Sequence, residues 1–238
     1  MTLPVVIVII LCSIVQSLIG VGVLLFGTPT LLLMGYSYHE TLYLILPTSI
    51  LISILQTFNS SKLLSDTKYI FIYTLPMIFI GLLMVTYFYE VINIRYVVGG
   101  MLLFIGLIRI VPFVKQNLKV FLYKNKAIYH TIMGLVHGFS NMGGGMLLVL
   151  MSTVHEKRNV ALANIAYTYL LFGVIQMTTL YLFSKELINI NAFILAFISL
   201  IAYIFTTKFI ATRVSDLKFN SLTTSLIISY GILSFINI

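Results

Sequence analysis

Two short segments combine glycine with small polar residues inside long apolar runs. They are Gln16-Ser17-Leu18-Ile19-Gly20-Val21-Gly22 and Ser140-Asn141-Met142-Gly143-Gly144-Gly145. Glycine in a helix interior costs about 1 kcal/mol against alanine, so each cluster predicts an interruption. A helix restarting after such a break presents free N–H groups and a positive dipole end. That arrangement binds an anion without any basic side chain. Gly143, Gly144 and Gly145 would open a fresh half-helix at Gly145 or Met146, and Gly20 and Gly22 would do the same ahead of Val23. Ser17, Ser140 and Asn141 adjoin the breaks, and Thr48, Gln56, Asn164, Thr168 and Gln176 recur further along each half. Hydroxyl and amide donors can replace part of an oxyanion's hydration shell. The same residues could instead serve tight helix packing and interhelical hydrogen bonds, worth about 0.6 kcal/mol each.

His137 is the one titratable side chain expected deep in an apolar run, where it could gate, donate to an anion, shuttle a proton or simply pack. The carboxylates Glu40, Glu90, Glu156, Glu186, Asp66 and Asp216 fall in loops or at run ends. No acidic residue is therefore expected at mid-membrane for proton or sodium coupling. An enzyme is not expected. There is no H-E-x-x-H, no membrane aspartate pair and no P-loop, and His137-Gly138-Phe139-Ser140 lacks the G-x-S-x-G elbow. Cys12 is the single cysteine, and no Cys/His cluster suggests a metal or cofactor.

These residues must be positioned by membrane helices. Of 238 residues, 60% are apolar and 8% charged, against roughly a quarter charged in soluble domains. Mean hydropathy is +1.10. A water-soluble enzyme, a disordered chain and a disulfide scaffold are excluded. The net charge of +8 comes from bases between apolar runs, where it orients a polytopic protein, and does not point to nucleic acid. Eight runs approach the roughly 20 residues a spanning helix needs. They are Leu3 to Met34, Thr41 to Phe58, Tyr69 to Tyr89, Tyr96 to Val114, Ile128 to Met151, Val160 to Phe183, Ile190 to Phe209 and Phe219 to Ile236. The first is too long for one straight helix. Continuous apolarity argues against a barrel.

The basic stretch Val114 to Lys126 separates four runs from four. The expected organisation is a first transmembrane repeat over 1–114, a basic linker loop over 115–126 and a second repeat over 127–238. The linker, with Lys115, Lys119, Lys124 and Lys126, is expected in the cytoplasm. Eight crossings would put both termini there too. The loops expected opposite carry nearly as many bases.

The halves read as copies. Gln16 to Leu25 aligns with Phe139 to Leu148, setting Ser17 on Ser140, Gly20 on Gly143 and Gly22 on Gly145. After a loop differing by three residues, Pro47-Thr48 through Gln56 aligns with Tyr167-Thr168 through Gln176. Transporters are often built this way, with the substrate at the repeat interface. Four crossings per half would make the halves parallel.

At Gly20-Val-Gly-Val-Leu-Leu-Phe-Gly-Thr-Pro29 and Gly138-Phe-Ser-Asn-Met-Gly-Gly-Gly-Met-Leu-Leu148 the chain resembles the sulfite exporter TauE/SafE family of membrane proteins. The resemblance extends over length, hydropathy and the four-plus-four layout. It departs at Val21, where the family's glycine cluster has its middle. It implies transport of small sulfur-containing anions or organosulfonates across the cytoplasmic membrane. The expectation is an all-α, multi-pass cell-membrane transporter of about eight helices in two related four-helix repeats, the first helix of each broken at its Gly-rich segment. It would export sulfite or a related anion through Ser17, Gly20, Gly22, Thr48, Gln56, His137, Ser140, Asn141, Gly143, Gly144, Gly145, Asn164, Thr168 and Gln176. A membrane scaffold or assembly subunit is the alternative. Homo-oligomerisation is left open.

Overall fold

The computed structural model describes residues 2–65, 67–88, 91–183, 190–209 and 216–236. Asp66, Glu90 and Glu186 lie outside the described residues. Among those described, the secondary structure is helical. The first half comprises α1 (Leu3–Ile19), α2 (Val23–Leu33), α3 (Tyr38–Ser60), a π-helical turn (Ile70–Thr74) leading into α4 (Leu75–Phe88), and α5 (Ile94–Ile110). Then come α6 (Pro112–Lys124), α7 (Lys126–Ser140), α8 (Gly143–Val154), α9 (Arg158–Phe183), α10 (Ile190–Phe209) and α11 (Asp216–Leu233). Four described stretches are long and apolar enough to cross a membrane: Tyr38–Leu63, Ile70–Phe88, Arg158–Phe183 and Ile190–Phe209.

Local chemistry explains the boundaries. Ser37 Oγ accepts the Glu40 amide and Glu40 Oε2 accepts the Ser37 amide, a reciprocal capping box that starts α3. Pro112 opens α6, where its missing N–H is not needed. The 115–126 stretch, expected as a loop, is largely this helix.

The long run Leu3 to Met34 is a hairpin rather than one broken span. A Cβ on Gly22 would strike the Gln16 backbone, and one on Gly27 would lie 3.9 Å from Cys12 Sγ, so α2 runs back alongside α1. The same reversal joins α7 to α8: Tyr129 donates from its hydroxyl to Met146 O at 2.8 Å, and a Cβ on Gly143 would strike His137.

Packing partners repeat across the halves. α1 lies on α10 and α7 on α4; α3 lies on α10 and α9 on α4; α2 contacts α11 and α8 contacts α5. Exchanging α1–α5 with α7–α11 converts each pairing into its counterpart. The corresponding helices α3 and α9 run antiparallel: Tyr43 donates to Leu180 O, Gly173 faces Ile50 and Ser65 donates to Asn164 Oδ1. The corresponding helices α5 and α11 do likewise, with Gly99 against Ser234, Gly106 against Ile228 and Arg109 bonded to Thr224. The halves are therefore not parallel. The hairpin is the cause, because it changes the parity of each half.

Parity also sorts the charges. The ends of α3, α5, α8 and α10 and the starts of α7, α9 and α11 lie at one face with α6. Lys62, Lys68, Arg109, Lys124, Lys126, Lys157, Arg158 and Lys208 stand there. Arg95, at the start of α5, is the one described base at the opposite face. The start of α1 and the end of α11 lie at that opposite face, so the termini do not share the linker's side.

Candidate functional site

The turns of both hairpins are buried and polar. In the first, Gly20 ends α1 in the left-handed region (φ 79°) and its amide bonds Gln16 O. In the second, Asn141 ends α7 the same way (φ 64°), with its amide on His137 O. Glycine and asparagine are the residues that tolerate this conformation. The structural counterparts are thus Gly20 and Asn141, and Gln16 and His137. After the turns, Val23 and Gly143 begin their helices at an offset of 120 residues, and Tyr38 and Arg158 begin α3 and α9 at that same offset. The alignment of Gly20 on Gly143 is therefore out by two residues, and no three-residue loop difference is needed.

The glycine triplet lies in the first turn of α8 and is not itself the break. Its role is close approach. A Cβ on Gly144 would overlap the Tyr169 hydroxyl, and one on Gly145 would lie 2.5 Å from Ile105. Gly134 and Gly138, four apart on α7, press that helix onto the carbonyls of Thr74 and Ile78, a small-residue packing stripe of the kind membrane helices use.

A buried hydrogen-bond chain joins the halves at the second turn. Asn141 Nδ2 donates to Thr28 Oγ1 at 2.8 Å. Thr28 in turn donates to Leu24 O. Asn141 Oδ1 accepts from Gln176 Nε2 at 3.3 Å, and Gln176 Oε1 lies 3.2 Å from His137 Nε2. The link to a glutamine oxygen requires the His137 Nε2 to carry the proton. Thr28, His137, Asn141 and Gln176 are fully buried. The His137 ring lies tilted 4.4 Å from Phe172 and 6.1 Å from Tyr169.

Several buried polar atoms have no partner within the protein: His137 Nδ1, the Tyr169 hydroxyl, Gln16 Nε2, and the hydroxyls of Thr48, Ser49 and Ser53 on α3. Leaving a buried polar group unsatisfied costs about 1–3 kcal/mol, so each of these atoms favours a polar partner. The expected bare amides are partly used. Gln16 Oε1 accepts the Val23 amide at 3.1 Å, Ser140 Oγ accepts the Met142 amide at 3.3 Å and Met142 O accepts the Gly145 amide.

Of the remaining expected residues, Ser17 donates to Ile14 O at 2.7 Å and Thr168 to Asn164 O at 2.7 Å. Asn164 sits away from the turn, pinning the stretch that follows α3 through Leu63 O and the Ser65 amide. Gln56 is half-buried near the same end of α3. The two turns do not face each other: Gly20 abuts Leu162 and Ile165, whereas Asn141 meets Thr28. Sequence reasoning passed over Thr28, Tyr169, Tyr38 and Arg158. The last two are counterparts, and each closes a hairpin. Tyr38 donates its hydroxyl to Gly138 O at 3.3 Å, and Arg158 Nη2 donates to Leu18 O at 3.0 Å. Their positions at the starts of α3 and α9 were the available signal.

A family described as sulfite exporter TauE/SafE matches residues 5–233, nearly the whole chain. No curated protein and no solved structure gives a significant match.

Proposed function

Because the chain belongs to the sulfite exporter TauE/SafE family, we propose that this multi-pass membrane protein exports a small anion, sulfite or a related sulfur-containing anion, across the cell membrane. The halves, 1–114 and 127–238, act as inverted repeats about the central pair α3 and α9, with α6 as the connection. The observation that carries the reading is the Thr28–Asn141–Gln176–His137 chain. It couples one repeat to the turn of the other, beside polar atoms that have no partner in the protein.

The hairpins supply the path. At 1.5 Å per residue, the 11 residues of α2 and 12 of α8 cover about half of a 30 Å hydrocarbon core. Their turns then lie inside the bilayer, entered from opposite faces. Backbone reversal at that depth is tolerated where protein or a wet cavity satisfies it. A cavity of about 200 Å³ reaches Leu18 and Ile19, beside the first turn, from the linker face. Tyr38 covers the second turn toward the other face. An anion would be held by the donor groups of Gln16, Asn141, Gln176 and Tyr169 and by the positive ends of α2 and α8, in turn from each side.

The basic face is the cytoplasmic one under the positive-inside rule. A negative interior contributes about 2.3 kcal/mol per charge at 100 mV, which drives an anion outward without a coupling carboxylate. The test is flux of labelled sulfite from liposomes containing the purified protein, with the potential imposed in either sense. Protein-dependent efflux that reverses with potential supports the reading. A scaffold gives no flux under any potential.

A further inference from the structure

A second cavity, of about 260 Å³, opens on the linker face between the start of α7, the end of α8, the start of α9 and residues Ser65, Thr67, Tyr69 and Ile70. One side is cationic and hydrogen-bonding. Lys126 and His130 stand one turn apart on α7, and His155 follows α8. His130 is buried, with Nδ1 2.9 Å from Thr74 Oγ1 and its ring stacked 5.7 Å from Tyr69. Nε2 is the ring's remaining polar atom. His155 lies beside Ser65, and burial lowers its affinity for a proton, so Lys126 carries the fixed charge. The opposite wall is apolar, built from Leu122, Leu150 and Met151. No carboxylate is among the described lining residues.

We propose that this cavity is an accessory binding site for an amphiphilic anion: one acid group held by Lys126, His130 and His155, and an apolar body against Leu122, Leu150 and Met151. An ammonium and two imidazoles lining a hollow with one apolar wall suit that combination better than a bare inorganic anion or a neutral solute. Such an anion can be a soluble organic acid or the head of an anionic lipid entering from the membrane. The site shares no residue with the Thr28–Asn141–Gln176–His137 chain, and His155 is its one described residue in common with the cavity beside the first turn.

The chain has no tryptophan, so Tyr123→Trp at the cavity rim is a unique fluorophore. In phosphatidylcholine nanodiscs, 3-nitrobenzenesulfonate should quench it saturably. Lys126→Gln should weaken that binding about tenfold, the loss of one charge-assisted contact, and Lys126→Arg should restore most of it. Calorimetry with the same probe on the wild-type chain provides a second reading. Asn141→Gly, expected to lose sulfite flux, should bind the probe normally. Binding that is unchanged in Lys126→Gln, or equalled by neutral nitrobenzene, overturns the proposal. Adding phosphatidylglycerol separates the sources: competition assigns the site to a lipid head, and its absence assigns it to a soluble acid.

Discussion

Thr28 and Asn141, 113 positions apart, share a 2.8 Å hydrogen bond in which the asparagine amide donates to the threonine hydroxyl. Thr28 belongs to the returning leg of the first hairpin and Asn141 is the turn of the second. This bond joins the first hairpin to the turn of the second. Asn141 therefore has two separable duties, a left-handed backbone and a bridging side chain.

Glycine can take over the first duty but not the second. Asn141→Gly is expected to keep the thermal midpoint near that of the parent while reducing sulfite flux at least tenfold. Asn141→Ala should lose flux and also stability, by about 1 kcal/mol or more for the left-handed alanine. Equal flux in parent and Asn141→Gly proteoliposomes would remove the amide from the mechanism.

Gly144 is a packing position, which changes what its substitution tests. A Gly144→Leu exchange would not leave the fold intact, because even a Cβ overlaps the Tyr169 hydroxyl. Gly144→Ala should be destabilising, by about 1–3 kcal/mol as for overpacked cores. Adding Tyr169→Phe should recover part of that loss. Tyr169→Phe alone removes an unpartnered buried hydroxyl and should raise the thermal midpoint of the substrate-free protein while weakening sulfite protection against unfolding. Thermal melts of the two single variants and the double variant, with and without sulfite, check both statements.

Gln16 caps α2 across the first turn through the Val23 amide. Gln16→Leu leaves that amide buried without a partner, and the expected loss is about 1–3 kcal/mol. Hydrogen exchange should quicken at Val23 and its neighbours, with α9 and α10 unaffected. Unaltered protection there would mean that the side chain is dispensable to the turn.

The topology can be read by labelling. On a Cys12→Ala background, Lys124→Cys and Ser37→Cys should react with an impermeant maleimide from opposite sides of the membrane. An N-terminal tag should be reached from the Ser37 side. Labelling of Lys124→Cys and the tag from one side would restore an even number of crossings per half.

Composition and hydropathy were enough to establish a helical membrane protein, because apolar content on this scale cannot be solvated by water. The glycine-rich segments pointed to both interruptions, since clustered glycines weaken a helix interior. Order and spacing also suggested a repeat, and the matched helix pairings are consistent with that reading. Which residue made each turn was not legible: Asn141 and Gly20 are equivalent only in backbone conformation, so matching glycine to glycine misplaced the register by two. Hydropathy cannot distinguish a long span from a hairpin, because both bury the same apolar residues. That reversal, visible only in which side chains α1 and α2 present to each other, set the parity of each half, the antiparallel pairing of α3 with α9, and the gathering of the basic residues at one face. Thr28 and Tyr169 likewise became site residues through contacts more than a hundred and about twenty-five positions away, distances that only tertiary packing closes.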